Sequence, residues 1–321
     1  MREPSQLDHP WMVAVWPGMG NVAINAGYFL LAKLRMHLES ELDARRLFEI
    51  GHVQVEHGII RAGRLPRSRF FRWRNPEQGR DLIVFLGEAQ PPSGIDDYCR
   101  RIVDHARELG VERIYTFAAM ATPMQVADPC RVFVAATTPA AVEEGRKLGL
   151  VVLNDARISG LNGVLPELAA EGGIEGVCLL GEMPQVFTQV TYPRSSLGVL
   201  KVFLRIAGIE VDLGDLERDA TTMDEHLTTL MSRIGEALRS QQEGGPQFPE
   251  PEHEDEPSSE LSAEDRRRIE ELFASSTEDR LHAYQLKKEL DRLKVFPEYE
   301  DRFLDLFQKS GGNGQPPETD E

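Results

Sequence analysis

The stretch Val15-Trp16-Pro17-Gly18-Met19-Gly20-Asn21-Val22-Ala23 decides the fold of this chain. The apolar run Trp11 to Trp16 leads into it and predicts a buried strand. The turn Pro17-Gly18-Met19-Gly20 ends that strand, and Asn21 is placed to cap a helix from Val22 to about Leu38. Because this helix is apolar on most of its surface, we expect it at the centre of the molecule.

Beyond the glycine turn, short apolar runs alternate with helical patterns of moderate length. This alternation predicts an α/β domain with a mixed, largely parallel sheet flanked by helices. An extended piece holds Phe70, Phe71 and Trp73. The other predicted strands are Phe48–Val55, Gly58–Ala62, Asp81–Leu86, Arg113–Met120, Arg131–Thr137, Val151–Leu153 and Gly176–Leu180, and the other helices are Gly94–Leu109, Pro139–Leu148, Val164–Ala170, Ser195–Ala207 and Leu216–Leu238.

Composition restricts the class of protein. The chain has 321 residues, of which 41% are hydrophobic, and its formal net charge is −17. A field of that sign disfavours nucleic acid and anionic membranes as partners. Cys99, Cys130 and Cys178 are far apart and predict reduced, mostly buried thiols in a cytoplasmic protein. No apolar signal or membrane segment and no metal-ligand spacing is apparent, so we expect no metal and no cofactor.

The composition changes sharply near residue 240. We predict an α/β domain over residues 1–239, an acidic disordered linker over 240–260, a helical tail over 261–310 and a disordered end over 311–321. Ser262 with Asp265 forms a capping signal for the first helix of the tail. Since the tail is too short for a secure core of its own, its apolar faces need the main domain, a second subunit or another protein.

Four ordered segments carry a resemblance to a known family. The glycine turn with its flanks, Val15 to Ala23, resembles the opening signature of the proteasome assembly chaperone two family. The segments Asp81–Pro91, Ile158–Leu165 and Gly176–Pro184 resemble its second strand block, its glycine-rich loop and the strand that follows. The resemblance covers about residues 11–238.

The resemblance implies a core shaped like that of nucleoside phosphorylases, oligomeric assembly and help in building or binding the proteasome. Archaeal relatives dock through a hydrophobic-Tyr-X tail. The last residues here are Thr319-Asp320-Glu321, so we do not expect that docking device.

A small-ligand site is one interpretation of the strand ends. Gly18 to Ala23 fits G-x-G-x-x-A, as in dinucleotide sites, but Pro17 removes a donor there, and a tight packing turn that needs Gly18 and Gly20 is the favoured explanation. Glu88 and Glu182 each follow a strand that ends in Leu-Gly, and they either line a pocket or fix loops by hydrogen bonds. The candidate ligand-binding residues, including a possible anion nest before Val164, are Gly18, Gly20, Asn21, Glu88, Ser159, Asn162, Gly163 and Glu182.

A second candidate is a surface rich in arginine and aromatic residues. Seven arginines between Arg61 and Arg80 surround three aromatic side chains. Such a mixture is typical of protein interfaces and also of single-stranded nucleic-acid sites, but the net charge favours the former. The candidate interface residues are Arg69, Phe70, Phe71, Arg72 and Trp73.

Two functions follow from these features. The first is a non-enzymatic, oligomeric assembly chaperone or scaffold that contacts copies of itself and another protein through the tail. The second is a binding protein or enzyme for a small anionic, nucleotide-like ligand in a pocket near Gly18, Asn162 and Glu182. No motif for a nucleophile with its base is apparent, so we assign no catalytic residues.

Overall fold

An eight-stranded sheet forms the middle of the molecule in this computed structural model, which describes residues 7–48, 53–56, 58–62, 64–77, 79–243 and 261–308. The strand order is β2-β5-β6-β1-β7-β10-β8-β9, and β3 pairs with β4 in a separate hairpin. The strands are β1 (Trp11–Val15), β2 (His37–Glu41), β3 (Val53–Glu56), β4 (Ile59–Ala62), β5 (Ser68–Trp73), β6 (Leu82–Gly87), β7 (Arg113–Thr122), β8 (Val132–Ala136), β9 (Val151–Val152) and β10 (Glu175–Pro184).

The sheet is mixed and mostly parallel, which confirms the predicted fold class. Its four central strands, β6, β1, β7 and β10, run in one direction. The strands that flank them, β5 and β8, run antiparallel to their inner neighbours. A central parallel sheet has to be covered on both faces, and its strands are therefore apolar throughout.

Strand β1 shows how the two faces are covered. Trp11, Val13 and Val15 pack on one face, and Met12 and Ala14 pack on the other. Helices α1, α5 and α6 cover the first face, whereas α2 and α4 cover the second. The helices of this part of the chain are α1 (Val22–Lys33), α2 (Ile95–Glu108), α3 (Pro139–Lys147), α4 (Leu161–Glu171), α5 (Pro193–Ala207) and α6 (Gly214–Glu243).

Helix α1 is shorter than the sequence predicted. It ends at Lys33, and Arg35 follows in the left-handed region with φ 48°. Residues His37–Glu41, expected in part to extend the helix, form the edge strand β2 and pair with β5. The prediction that Asn21 caps α1 was wrong, because Asn21 is itself left-handed and its side chain makes no capping bond.

The tail forms three helices that pack on the α1 face of the main domain. They are α7 (Ala263–Glu278), α8 (Ala283–Arg292) and α9 (Phe296–Asp305), and Ser262 caps α7 by accepting from the Asp265 amide, as predicted. Tyr284 stacks edge-on against Phe29 at 4.9 Å. The backbone amide of Leu38 donates to the carbonyl of Phe307 at 2.7 Å, so the chain after α9 also bonds to β2.

The predicted linker and end lie mainly beyond the described residues. Helix α6 continues to Glu243, five residues past its predicted end at Leu238. Residues 244–260 and 309–321 are outside the described ranges, so the predicted boundaries there stay predictions. In the part of the chain that is described, no helix is both long and apolar enough to cross a bilayer.

Candidate functional site

The glycine turn is held by the loop of residues 188–192, which is distant from it in the sequence. The amide of Gly20 donates to the Thr188 carbonyl at 2.9 Å, and the Tyr192 amide donates to the Gly20 carbonyl at 2.9 Å. Gly20 has φ 60°, and a Cβ there would lie 2.8 Å from the Met183 side chain. Since backbone groups that would hold a phosphate are bonded to the protein itself, the turn has the geometry of a packing turn.

Gly18 and Asn21 lie at the exposed side of the turn, unlike the buried Gly20. Gly18 has an extended backbone and is exposed. No atom lies within 4 Å of the position that a Cβ on Gly18 would take, so a side chain fits there without strain. The structure therefore corrects the expectation that both glycines are needed for the turn. Asn21 is exposed, and its Nδ2 donates to Oγ1 of Thr191 at 3.0 Å.

Glu182 belongs to a small polar network at the end of β10. Its side chain is 1% exposed, forms an ion pair with Arg131 and accepts from Thr122 Oγ1 at 2.7 Å. The hydrogen bonds from Arg131 lower the pKa of Glu182 despite its burial. A cavity of about 460 Å³ lies beside this network and is lined by Thr122, Pro123, Met124, Asp128, Pro129, Arg131 and Glu182.

Glu88 belongs to a different network, which lies in the half of the sheet that contains β5 and β6. Its carboxylate lies 2.9 Å from Arg64 Nη2 and 3.3 Å from Arg69 Nη1, and it accepts from the Arg67 amide at 2.9 Å. Three strand spacings separate β6 from β10, which places Glu88 and Glu182 about 14 Å apart. Their roles in the structure match the alternative in which each carboxylate fixes a loop.

The glycine-rich segment Ile158–Leu165, which runs into the first turn of α4, lies near the glycine turn but uses its own amides internally. The amides of Gly163 and Val164 both donate to the Gly160 carbonyl at 3.2 Å, so they do not form an open anion nest. The carbonyl of Asn162 accepts from Thr116 Oγ1 at 2.7 Å, whereas its buried Oδ1 has no hydrogen-bond partner in the described structure. Ser159 is exposed.

Gln90 connects these two loops, a contact that sequence reasoning missed. Its Nε2 donates to the Pro17 carbonyl at 3.2 Å, and its Oε1 lies 3.0 Å from the position of a Cβ on Gly160. The glycine turn and the Gly160 loop therefore meet, whereas Glu88 and Glu182 face other networks. The position of Gln90 within the Asp81–Pro91 segment was the one available signal.

The predicted interface residues on β5 are largely internal. Phe70 and Phe71 are fully buried on opposite faces of the sheet, and the Arg69 side chain is 2% exposed. A second subunit cannot reach these three residues, so the predicted interface is wrong for them. The physical reason is that β5 lies inside the sheet between β2 and β6, where both faces are covered. Arg72 and Trp73 are half-buried, and Arg72 Nε lies 2.9 Å from Glu39.

Arginines of the segment 61–80, here called the arginine cluster, bind the helical tail. Asp301 Oδ1 lies 2.5 Å from Arg64 Nη1, 2.6 Å from Arg69 Nη2 and 3.3 Å from Arg67 Nη1. Glu300 accepts from the Tyr28 hydroxyl at 2.7 Å, and burial with repulsion from Glu88 raises the pKa of Glu300 to about 7. Sequence reasoning missed this contact between the tail and the arginines. The available signal was the adjacent acidic pair Glu300 and Asp301 in a chain with a compact arginine cluster.

The comparisons with known proteins agree with the fold. A model of the PAC2 family matches residues 12–231, and the chain belongs to that family. An uncharacterized protein of Methanocaldococcus jannaschii is 26% identical over 178 residues, which cover 54% of this chain and 66% of that protein.

Solved structures share the architecture at low identity. PbaB of Pyrococcus furiosus, an archaeal proteasome activator, superposes with a TM-score of 0.61 at 23% identity, covering 71% of this chain and 96% of PbaB. A proteasome-assembly chaperone homologue of Mycobacterium tuberculosis superposes with a TM-score of 0.60 at 21% identity, covering 68% of this chain and 94% of the homologue. At these identities the likeness shows the fold.

Proposed function

We propose that this protein is a cytoplasmic, non-enzymatic assembly chaperone or scaffold that works as a homo-oligomer and binds another protein. One observation carries the proposal: predicted ligand groups at the strand ends are bonded inside the chain. Gly20 is bonded to the 188–192 loop, Glu88 to arginines and Glu182 to Arg131. Beside them, Met19 and Val186 present apolar side chains to solvent. This edge therefore favours contact with a protein surface.

The family supports the same role. A chaperone homologue and a proteasome activator have this architecture, so subunits of a proteasome or of a similar ring are the partners to test first. The net charge of −17 favours a partner with a basic face and disfavours nucleic acid and anionic membranes. The tail's apolar residues pack on its own main domain, which leaves its charged outer surface for any contact with another protein.

The experiment is affinity purification of the full chain from its host, followed by reconstitution with each purified protein that co-purifies. We expect a stoichiometric complex that a Met19→Glu, Val186→Glu double variant weakens at least tenfold. A Thr222→Glu, Ser232→Glu double variant adds the same charge at exposed positions of α6 and should bind normally. A chain that binds no protein in reconstitution would overturn the proposal.

A small anionic ligand is the second candidate, favoured by the unpaired Oδ1 of Asn162 close to the junction of two loops. A ligand that donates a hydrogen bond to Oδ1 should raise the melting temperature of the chain, because binding stabilises the native state. A panel of nucleotides and nucleosides tests this. An increase that Asn162→Ala abolishes would support the ligand function, and no increase across the panel would reject it.

A further inference from the structure

Helix α6 carries one apolar stripe along most of its length. The spacing alternates between four and three residues, as in the seam of a two-stranded coiled coil. Helices with this spacing pack against a neighbouring helix along the whole stripe. The members of the stripe are Leu216, Ala220, Met223, Leu227, Leu230 and Ile234.

The two halves of the stripe have different surroundings. Leu216 and Leu227 are buried against the main domain at 0% and 4% exposure, whereas Leu230 and Ile234 are 46% and 44% exposed. The next residue, Met231, widens the exposed part and is 39% exposed. Residues 228–243 continue as helix for about 24 Å. The apolar stripe therefore continues beyond the surface that covers its first half.

The exposed stripe borders other exposed apolar residues. Leu227 packs in one cluster with Phe187, and the neighbours Val186 and Val190 are 66% and 36% exposed. Leu230, Met231, Ile234 and Val190 together expose on the order of 300 Å², the size of the largest apolar patch on a typical monomer. A patch of that size on a monomer is often a binding surface.

We infer that the exposed end of α6, residues 228–237, pairs antiparallel with the same segment of α6 in a second copy of this chain. This inference deepens the self-association in the proposed function. The argument for a second copy is that the exposed end of α6 is marginal without a neighbour. Within residues 228–237, its large exposed apolar side chains lie along one face with the spacing of a two-helix seam. An identical helix matches that seam in length and spacing.

The orientation follows from where the main domain lies. In each copy the first half of the stripe faces its own main domain, and the second half faces the same way. Parallel pairing would place both main domains in the space between the two helices, where they would collide. Antiparallel pairing places them at opposite ends, so each stripe is covered first by its own domain and then by the partner helix. The end of the partner helix then reaches Val190.

Light scattering on the full chain measures the association. We expect the wild type to have at least twice the 36.1 kDa mass of one chain, and a Leu230→Glu, Ile234→Glu variant to have half the wild-type mass. The control variant Thr222→Glu, Ser232→Glu adds two charges on the outer side of α6 and should keep the wild-type mass. Unchanged circular dichroism in both variants at 25 °C would show that folding is intact.

An unchanged mass in the Leu230→Glu, Ile234→Glu variant would overturn the inference. A monomeric wild type would also overturn it, because residues 244–260 or another protein would then have to cover the stripe. Binding of a partner by a monomeric chain would leave the assembly role standing, so the two failures are distinguishable. Orientation is tested by oxidising a mixture of Leu230→Cys and Ile234→Cys chains in a Cys130→Ser background. Disulfides between the two variants support antiparallel pairing, and disulfides within each variant alone overturn it.

Discussion

The carboxylate of Asp301 in α9 lies 2.6 Å from Nη2 of Arg69 in β5, although 232 residues separate them in the sequence. Arg69 is buried and also faces Glu88 at 3.3 Å, so its guanidinium is shared between the main domain and the tail. The tail packs on the main domain through aromatic contacts, and this ion pair also links α9 to β5.

Replacing Asp301 by Asn should loosen the tail. The variant keeps an oxygen acceptor but removes the charge that faces Arg64, Arg67 and Arg69, at a cost of about 2 kcal/mol. Hydrogen exchange should rise in residues 296–308 and stay unchanged in β1. Asp305→Asn, on an exposed position of the same helix, is the matched control. Equal exchange in the two variants would show that Asp301 does not hold the tail.

The stability of the tail should depend on pH through Glu300. Its pKa of about 7 in the folded chain lies above the unfolded value of about 4.3, so the protonated group favours folding. That contribution is complete below about pH 4.3 and is lost as the pH rises through 7, at a cost of about 4 kcal/mol. Glu300→Gln, which keeps an acceptor for Tyr28, should be more stable than the wild type at pH 8.

Denaturant unfolding of both proteins at pH 5 and pH 8 measures this difference. The gap in unfolding free energy between Glu300→Gln and the wild type should widen by a few kcal/mol at the higher pH. Glu298→Gln removes an exposed charge from the same helix and should follow the wild type. Parallel curves for Glu300→Gln and the wild type would mean that Glu300 titrates like a solvent-exposed carboxyl.

The fold of the central strands was predictable because local patterns determine it. The apolar run at Trp11–Trp16 and the turn that ends it place β1 and α1 in order, and the structure confirms both elements. Strand β2 was missed because His37–Glu41 is mostly polar and lies at a sheet edge, where pairing with β5 outweighs local preference. The site was predicted less well, since the partners of Glu88 and Glu182 come from distant parts of the chain.

The two glycines of the turn should respond differently to substitution. Gly20→Ala forces a side chain into φ 60° against Met183 and should cost about 1–2 kcal/mol. Gly18→Ala adds a methyl group in open space on extended backbone and should be nearly neutral. Thermal melts of the two variants compare them directly. A Gly18→Ala variant as unstable as Gly20→Ala would contradict the conformation described for the turn.

The last prediction concerns how the tail is attached. Tyr284, Phe303 and Phe307 pack against Phe29, Tyr28 and Phe71 of the main domain, with ring centroids between 4.9 and 6.2 Å apart. Those contacts do not depend on the covalent connection through residues 244–260. If a specific protease site is placed in that segment and cut, the tail should stay bound to the main domain and co-elute with it.

A shortened chain that ends at Glu243, and therefore lacks the tail, tests how much the tail stabilises the main domain. Without the tail, the aromatic surface of α1 is exposed to water, so the shortened chain should melt lower than the cut complex and bind a hydrophobic dye. Adding the tail as a separate peptide should restore the melting temperature, and Phe303→Ala in the peptide should weaken the rescue because its ring stacks on Tyr28. A shortened chain as stable as the full one, or a tail that separates after cutting, would show that the tail packs too weakly to belong to the folded unit.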